Sequence, residues 1–216
     1  MNIFSRTLAV FFTSFLLSNI ASADLQFGIA AGFSSSEKLE NSDISAILLG
    51  NRINVAEDFS QDNTDSAFRL FSSYNLNEWL DIELSYTDYG DNSFAGKINK
   101  SPTSNTTGGF DAIEATEELT GFALSLSPKK QYPSGIVVNA KLGALMWNLN
   151  GDGRKYGETN FISTGLDTYT ESLKIDDDGV DFILGVGISY SNFSITYERV
   201  SVNSSETDIL MLSFKY

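Results

Sequence analysis

The stretch Val180-Asp181-Phe182-Ile183-Leu184-Gly185-Val186-Gly187-Ile188-Ser189-Tyr190 decides how this chain folds. Val180, Phe182, Leu184, Val186, Ile188 and Tyr190 recur at every second position, opposite Asp181, Gly185, Gly187 and Ser189. A helix would scatter those apolar side chains around its axis, whereas an extended strand gathers them on one face. Working outward, the same period appears in Leu25–Phe33, Phe68–Tyr74, Leu80–Tyr86, Phe122–Leu126, Val138–Met146, Phe193–Tyr197 and Leu210–Tyr216. That makes eight segments, most of them near the roughly 9–11 residues of a tilted membrane strand.

The connections alternate between two classes. Short links fall at Asn75–Glu78, Pro128–Gly135 and Ser191–Asn192, and long ones at Ser34–Asp65, Gly90–Glu118 and Asn148–Gly179, with a modest one near Val202–Glu206. In an up-and-down barrel every second turn lies on the same rim, so short and long connections segregate to opposite ends, as in bacterial outer-membrane barrels. The long connections are rich in Ser, Thr, Asn, Gly and Asp, for example Ser101–Gly109, and read as polar external loops.

Alternation alone also fits a soluble barrel with its apolar face inward around a lipophilic ligand, so the second face has to discriminate. A water-facing side is normally rich in Lys, Glu and Thr. Here it is mainly Gly, Ala and Ser, which suits the crowded interior of an eight-stranded barrel. Tyr74, Trp79, Tyr86, Tyr190 and Tyr216 lie near strand ends, where aromatic girdles form. The expected fold is all-β, an eight-stranded antiparallel up-and-down transmembrane barrel with short periplasmic turns and long external loops.

Residues 1–23 have the parts of a secretory signal peptide: Arg6, an apolar run from Leu8 to Ile20, and Ala21-Ser22-Ala23 before Asp24. The apolar run is shorter than the roughly 20 residues a spanning helix needs. Cleavage would leave residues 24–216 as one barrel domain in the outer membrane. The net charge of −14 repels nucleic acid, and loss of Arg6 makes the remainder one unit more acidic.

Four charges lie on the inward parity at similar depth. Arg69 is five residues before Tyr74, Glu83 four after Trp79, Lys141 five after Ile136 and Glu198 five after Phe193. Two cations and two carboxylates in a narrow lumen can pair, either as a fixed polar plug or as a rearrangeable gate for small ions. Asp81, Asp181 and Lys215 share the parity nearer the rims, and Lys129 and Lys130 read as part of a solvated turn.

The loop rhythm, the segment Asn77–Tyr86 following Tyr74, and the C-terminal strand closing on Phe214-Lys215-Tyr216 resemble the OmpA-like transmembrane domain family. The resemblance covers essentially the whole chain beyond residue 23. It implies an integral barrel with lumen charges at Arg69, Glu83, Lys141 and Glu198 in paired networks, and external regions that meet host or environment. Phe214 and Tyr216 look like the terminal signal by which the outer-membrane assembly machinery selects its clients. The sequence ends on this strand, so tethering through a peptidoglycan-binding domain is not expected.

Catalytic chemistry is poorly supplied. The chain contains no His and no Cys, which removes the common general bases, thiol nucleophiles and His-ligated metal sites. Asp176-Asp177-Asp178-Gly179 and Asn148–Asp152 offer oxygen ligands of the kind calcium takes, but match no EF-hand spacing and read as solvated acidic rims. No catalytic, cofactor-binding or metal-binding residue is assigned. The expected partners are outer-membrane lipid and lipopolysaccharide, the assembly machinery, and a surface partner reached through the loops. The competing functions are a structural or surface-interaction barrel, a narrow ion-conducting pore, and a soluble periplasmic ligand binder.

Overall fold

The computed structural model describes residues 25–37, 58–202 and 205–216. The signal peptide expected at residues 1–23 lies outside the described residues. In chain order the strands are β1 (Leu25–Ser36), β2 (Asp58–Asp62), β3 (Thr64–Asn77), β4 (Leu80–Lys100), β5 (Thr106–Gln131), β6 (Ile136–Phe161), β7 (Gly165–Tyr190), β8 (Phe193–Val202) and β9 (Ser205–Lys215).

Strands β1 and β3 to β9 pair antiparallel with their sequence neighbours, and β9 returns to β1, closing a ring of eight. The seam is tied at its end by reciprocal backbone bonds between Phe27 and Tyr216, 3.1 and 2.7 Å. β2 stays outside the ring on the upper part of β4, with Phe59 opposite Gly96 and Gln61 opposite Phe94.

Closure leaves no free edge within the barrel wall, the condition a strand-built span must meet in lipid. The apolar stripes face outward. Phe27, Ile29, Leu70, Leu124, Leu142, Phe182, Leu184, Val186, Ile188, Ile195, Leu210 and Leu212 are all exposed on the outer wall. So wide an apolar band would be a severe liability in water, and in a bilayer it is the surface that lipid chains cover. Trp79, Tyr190, Phe193 and Tyr216 cluster on the short-turn rim, while Phe33, Phe68, Tyr86 and Phe122 end the band on the other.

The expected long loops are the main difference. Most of Gly90–Glu118 and Asn148–Gly179 is strand, because β4 to β7 run past the apolar band before turning at residues 101–105 and 162–164. The reason is a second alternation carried by fewer apolar residues. Phe94, Ile98, Ile113 and Ala115 are buried together, with Phe59, Leu173 and Ile175 packed against them, so these arms have a small core of their own. The arms of β4 to β7, with β2 beside β4, continue the sheet past the apolar band as five neighbouring strands.

Candidate functional site

The four inward charges are brought together by the ring. Arg69 on β3 makes a bidentate pair with Glu198 on β8, with both contacts at 2.6 Å, and its Nε donates to Thr87 Oγ1 at 2.8 Å. Lys141 on β6 donates from Nζ to Glu198 Oε1 and to Glu83 Oε1 on β4, both at 2.7 Å. The result is one chain, Thr87–Arg69–Glu198–Lys141–Glu83, with no net charge. All four ionic residues are buried, Glu198 to 1% exposure. Charge-assisted bonds of this length are the strong kind, and here they offset the cost of taking four ions out of water.

Glycine makes room for the arrangement. Gly185 on β7 is the cross-strand neighbour of both Lys141 and Glu198. A Cβ there would lie 2.7 Å from Glu198 Cγ, so the carboxylate side chain occupies the space that glycine leaves.

Toward the short-turn rim the lumen holds a polar cavity of about 40 Å³, lined in part by Ser73, Asp81, Lys129, Asn139, Ser194 and Lys215. Lys129 does not belong to a solvated turn as its sequence context implied. β5 continues through it, and Nζ contacts Asp81 Oδ1 and Asn75 Oδ1, both at 2.6 Å. Asp181 sits nearer the other rim and accepts from Trp147 Nε1 at 3.0 Å.

On the arm side of the charge chain the lumen turns apolar. Leu145, Ile183, Val200, Ile209 and Met211 are almost fully buried there, capped by Tyr89, Leu119, Trp147 and Val202. Sequence reasoning missed this plug. Its signal was present in Leu145 and Ile183, which stand on the polar parity of stripes whose other members on that face are Asn139, Lys141 and Gly143 in one and Asp181, Gly185, Gly187 and Ser189 in the other.

The part of the sheet beyond the apolar band has polar clusters on both faces. Inside, Lys100 meets Asp111 at 2.7 Å and Tyr169 Oη donates to the same carboxylate oxygen at 2.8 Å. Burial, and then that bond, push the Tyr169 hydroxyl up to about 12. Outside, Tyr156 Oη donates to Glu114 at 2.7 Å and Arg154 pairs with it at 2.9 Å. Those two partners hold the Glu114 carboxyl below the usual range. Glu117 is shifted the other way: burial raises it, partly opposed by the bond that Asn92 donates. The two acidic stretches read from the sequence are neighbours here, with Asn148 opposite Asp178 and Asn150 opposite Asp176.

Comparison with solved structures finds small outer-membrane barrels. The attachment invasion locus protein Ail of Yersinia pestis is 14% identical, with 89% of this chain and 99% of that chain covered at a TM-score of 0.41. Neisserial surface protein A is 10% identical, with 88% and 95% covered at 0.46. The translocator domain of the autotransporter NalP from Neisseria meningitidis is 9% identical, with 98% and 94% covered at 0.27. No curated protein sequence matches. The model of the OmpA-like transmembrane domain matches residues 20–198, and the chain accordingly belongs to that family of outer-membrane β-barrels.

Proposed function

We propose that this barrel is a non-enzymatic, non-conducting anchor that holds a β-sheet outside the membrane for contact with surface partners. The observation that carries the reading is a lumen closed in two successive layers beneath strands that continue well past the apolar band. A pore is less well supported. The charge chain could exchange partners, but the apolar plug stands in series with it, and Leu145, Ile183, Val200, Ile209 and Met211 carry no ionisable group. Catalysis is disfavoured because each ionisable group of the charge chain is committed to a neighbour.

Three further assignments belong to this reading. Residues 1–23 are removed on export, so the mature N-terminus is Asp24. Phe214 and Tyr216 serve as the assembly signal; Phe214 packs against Phe193 with ring centroids 5.3 Å apart, and Tyr216 is the residue bonded across the seam. The exposed apolar band is covered by outer-membrane lipid, with lipopolysaccharide around its arm-side rim.

The test is single-channel recording of the full-length mature protein in planar bilayers. The expected result is baseline conductance across the usual voltage range. Discrete openings from the folded barrel would overturn the reading in favour of the pore.

A further inference from the structure

Past the apolar band the arms keep most of their large apolar side chains covered: Phe94, Ile98 and Ile113 are buried, with Leu173 and Ile175 packed on them. The far end differs. Among the described residues of the arms, the large apolar side chains that are exposed are Ile162 (65%), Leu166 (61%) and Tyr169 (43%), all at or just below the β6–β7 turn. This turn begins 15 residues beyond Met146, where the lipid-facing stripe of β6 ends, or about 50 Å along the strand. The molecule therefore has two exposed apolar zones, one around the barrel wall and one at the extremity of the arms.

The same extremity is free of charge. The chain is 19% charged, yet neither Ser101–Phe110 nor Thr159–Leu166 contains an Asp, Glu, Lys or Arg. These stretches meet in space: Thr106 lies opposite Phe161, and Ile162 N donates to Asn105 O at 3.0 Å. Thr103 N donates to Thr106 O at 3.0 Å and the two hydroxyls bond at 2.8 Å, so polar groups of the turns are paired with one another. Gly165, at φ +85°, lets the β6–β7 turn close in the left-handed region. A protein interface accepts charge at its polar rim. Absence of charge and internally bonded turns are what entry into lipid demands.

We infer that the paired turns form a membrane-touching tip, with Ile162 and Leu166 entering the facing leaflet of a second, opposing bilayer. Tyr169 suits the headgroup level, with an exposed ring and a hydroxyl that donates to Asp111. The headgroups it fits are zwitterionic, because Glu158 and Asp167 directly behind the tip, on a chain of net charge −14, repel an anionic surface. Two inserted side chains make a weak contact per copy, which several barrels in one membrane reinforce.

The inference rests on the surface-contact reading, and its test is separate from the conductance measurement: a silent barrel whose tip ignores lipid sinks only the tip. The chain has no Cys, so Ser163→Cys at the turn and Ser172→Cys on the exposed flank of β7 each take a single environment-sensitive dye. The full-length mature protein in phospholipid nanodiscs, with empty discs as baseline, would be mixed with vesicles of phosphatidylcholine or of phosphatidylglycerol. The expected result is a blue shift of the dye at position 163 but not at 172, with association about tenfold tighter for phosphatidylcholine. The double variant Ile162→Ser/Leu166→Ser should weaken that association about tenfold and Ile162→Trp should strengthen it, both with unchanged heat-dependent gel mobility. No shift at position 163, equal shifts at 163 and 172, insensitivity to both variants, or binding to phosphatidylglycerol as tight as to phosphatidylcholine would each overturn the inference.

Discussion

Glu198 accepts from Arg69 and Lys141 at once, so it is the residue on which the lumen depends most. Glu198→Gln leaves two buried cations sharing a neutral amide, and removing one partner of a buried pair costs roughly 3–5 kcal/mol. The measurement is the urea midpoint in phospholipid vesicles, followed by gel mobility with and without boiling. Glu83→Gln removes only one contact and should cost less; equal losses would mean that the chain of pairs does not act as drawn. Gly185→Ala tests the space rather than the charge, and should destabilise by about 1–3 kcal/mol through overpacking against Glu198. The inward parity and common depth of the four charges were legible because a period of two assigns every side chain to a face. Which cation meets which carboxylate was not, since that depends on the stagger between strands as the ring closes. Lys129 was misread for a local reason: Pro128 resembles a turn signal, yet it sits opposite Leu80 at the end of the paired region, and the strand continues past it.

At the scale of the strand, the arms are held by a small core, so individual side chains should register in their stability. Glu117 is partly buried with its pKa raised from the usual 4.5, so its ionised form costs stability at neutral pH. That cost grows as pH rises from 4.5 through the raised folded value and is constant above it. Glu117→Gln keeps an acceptor for Asn92 and should slow hydrogen exchange across β4 to β6 at pH 7, with little effect at pH 4. Glu114 has the opposite sign. Its lowered pKa means that its contribution is complete above 4.5 and is lost as pH falls through the folded value. Faster exchange in the Glu117 variant at pH 7 would contradict this account. The arms could not be read from the sequence because Ser, Thr, Asn and Gly serve equally in loops and in a wet sheet. Only Phe94, Ile98, Ile113, Leu173 and Ile175 distinguish the two, and their spacing is interrupted by glycines.

Taken whole, the molecule is a plugged cylinder with its sheet on one side, which fixes what a protease can reach. Trypsin added to intact cells should cut at Lys100, beside the turn at residues 101–105, and leave the short-turn rim untouched; cleavage at Lys129 or Lys130 in sealed cells would mean the barrel is inserted the other way. The architecture was legible because lipid outside and a narrow lumen inside leave alternation as the only workable pattern. The apolar plug was not, since its leucine and isoleucines are the same residue types that face lipid one position away. The charge chain bears on assembly as well. Arg69 and Glu198 are 129 residues apart in sequence and meet only across the completed ring. A partly curled sheet therefore carries uncompensated ions toward hydrocarbon, and neutralising them rewards only the last step. Insertion becomes an all-or-none event, with the ion pairs acting as a latch that rejects every intermediate short of closure.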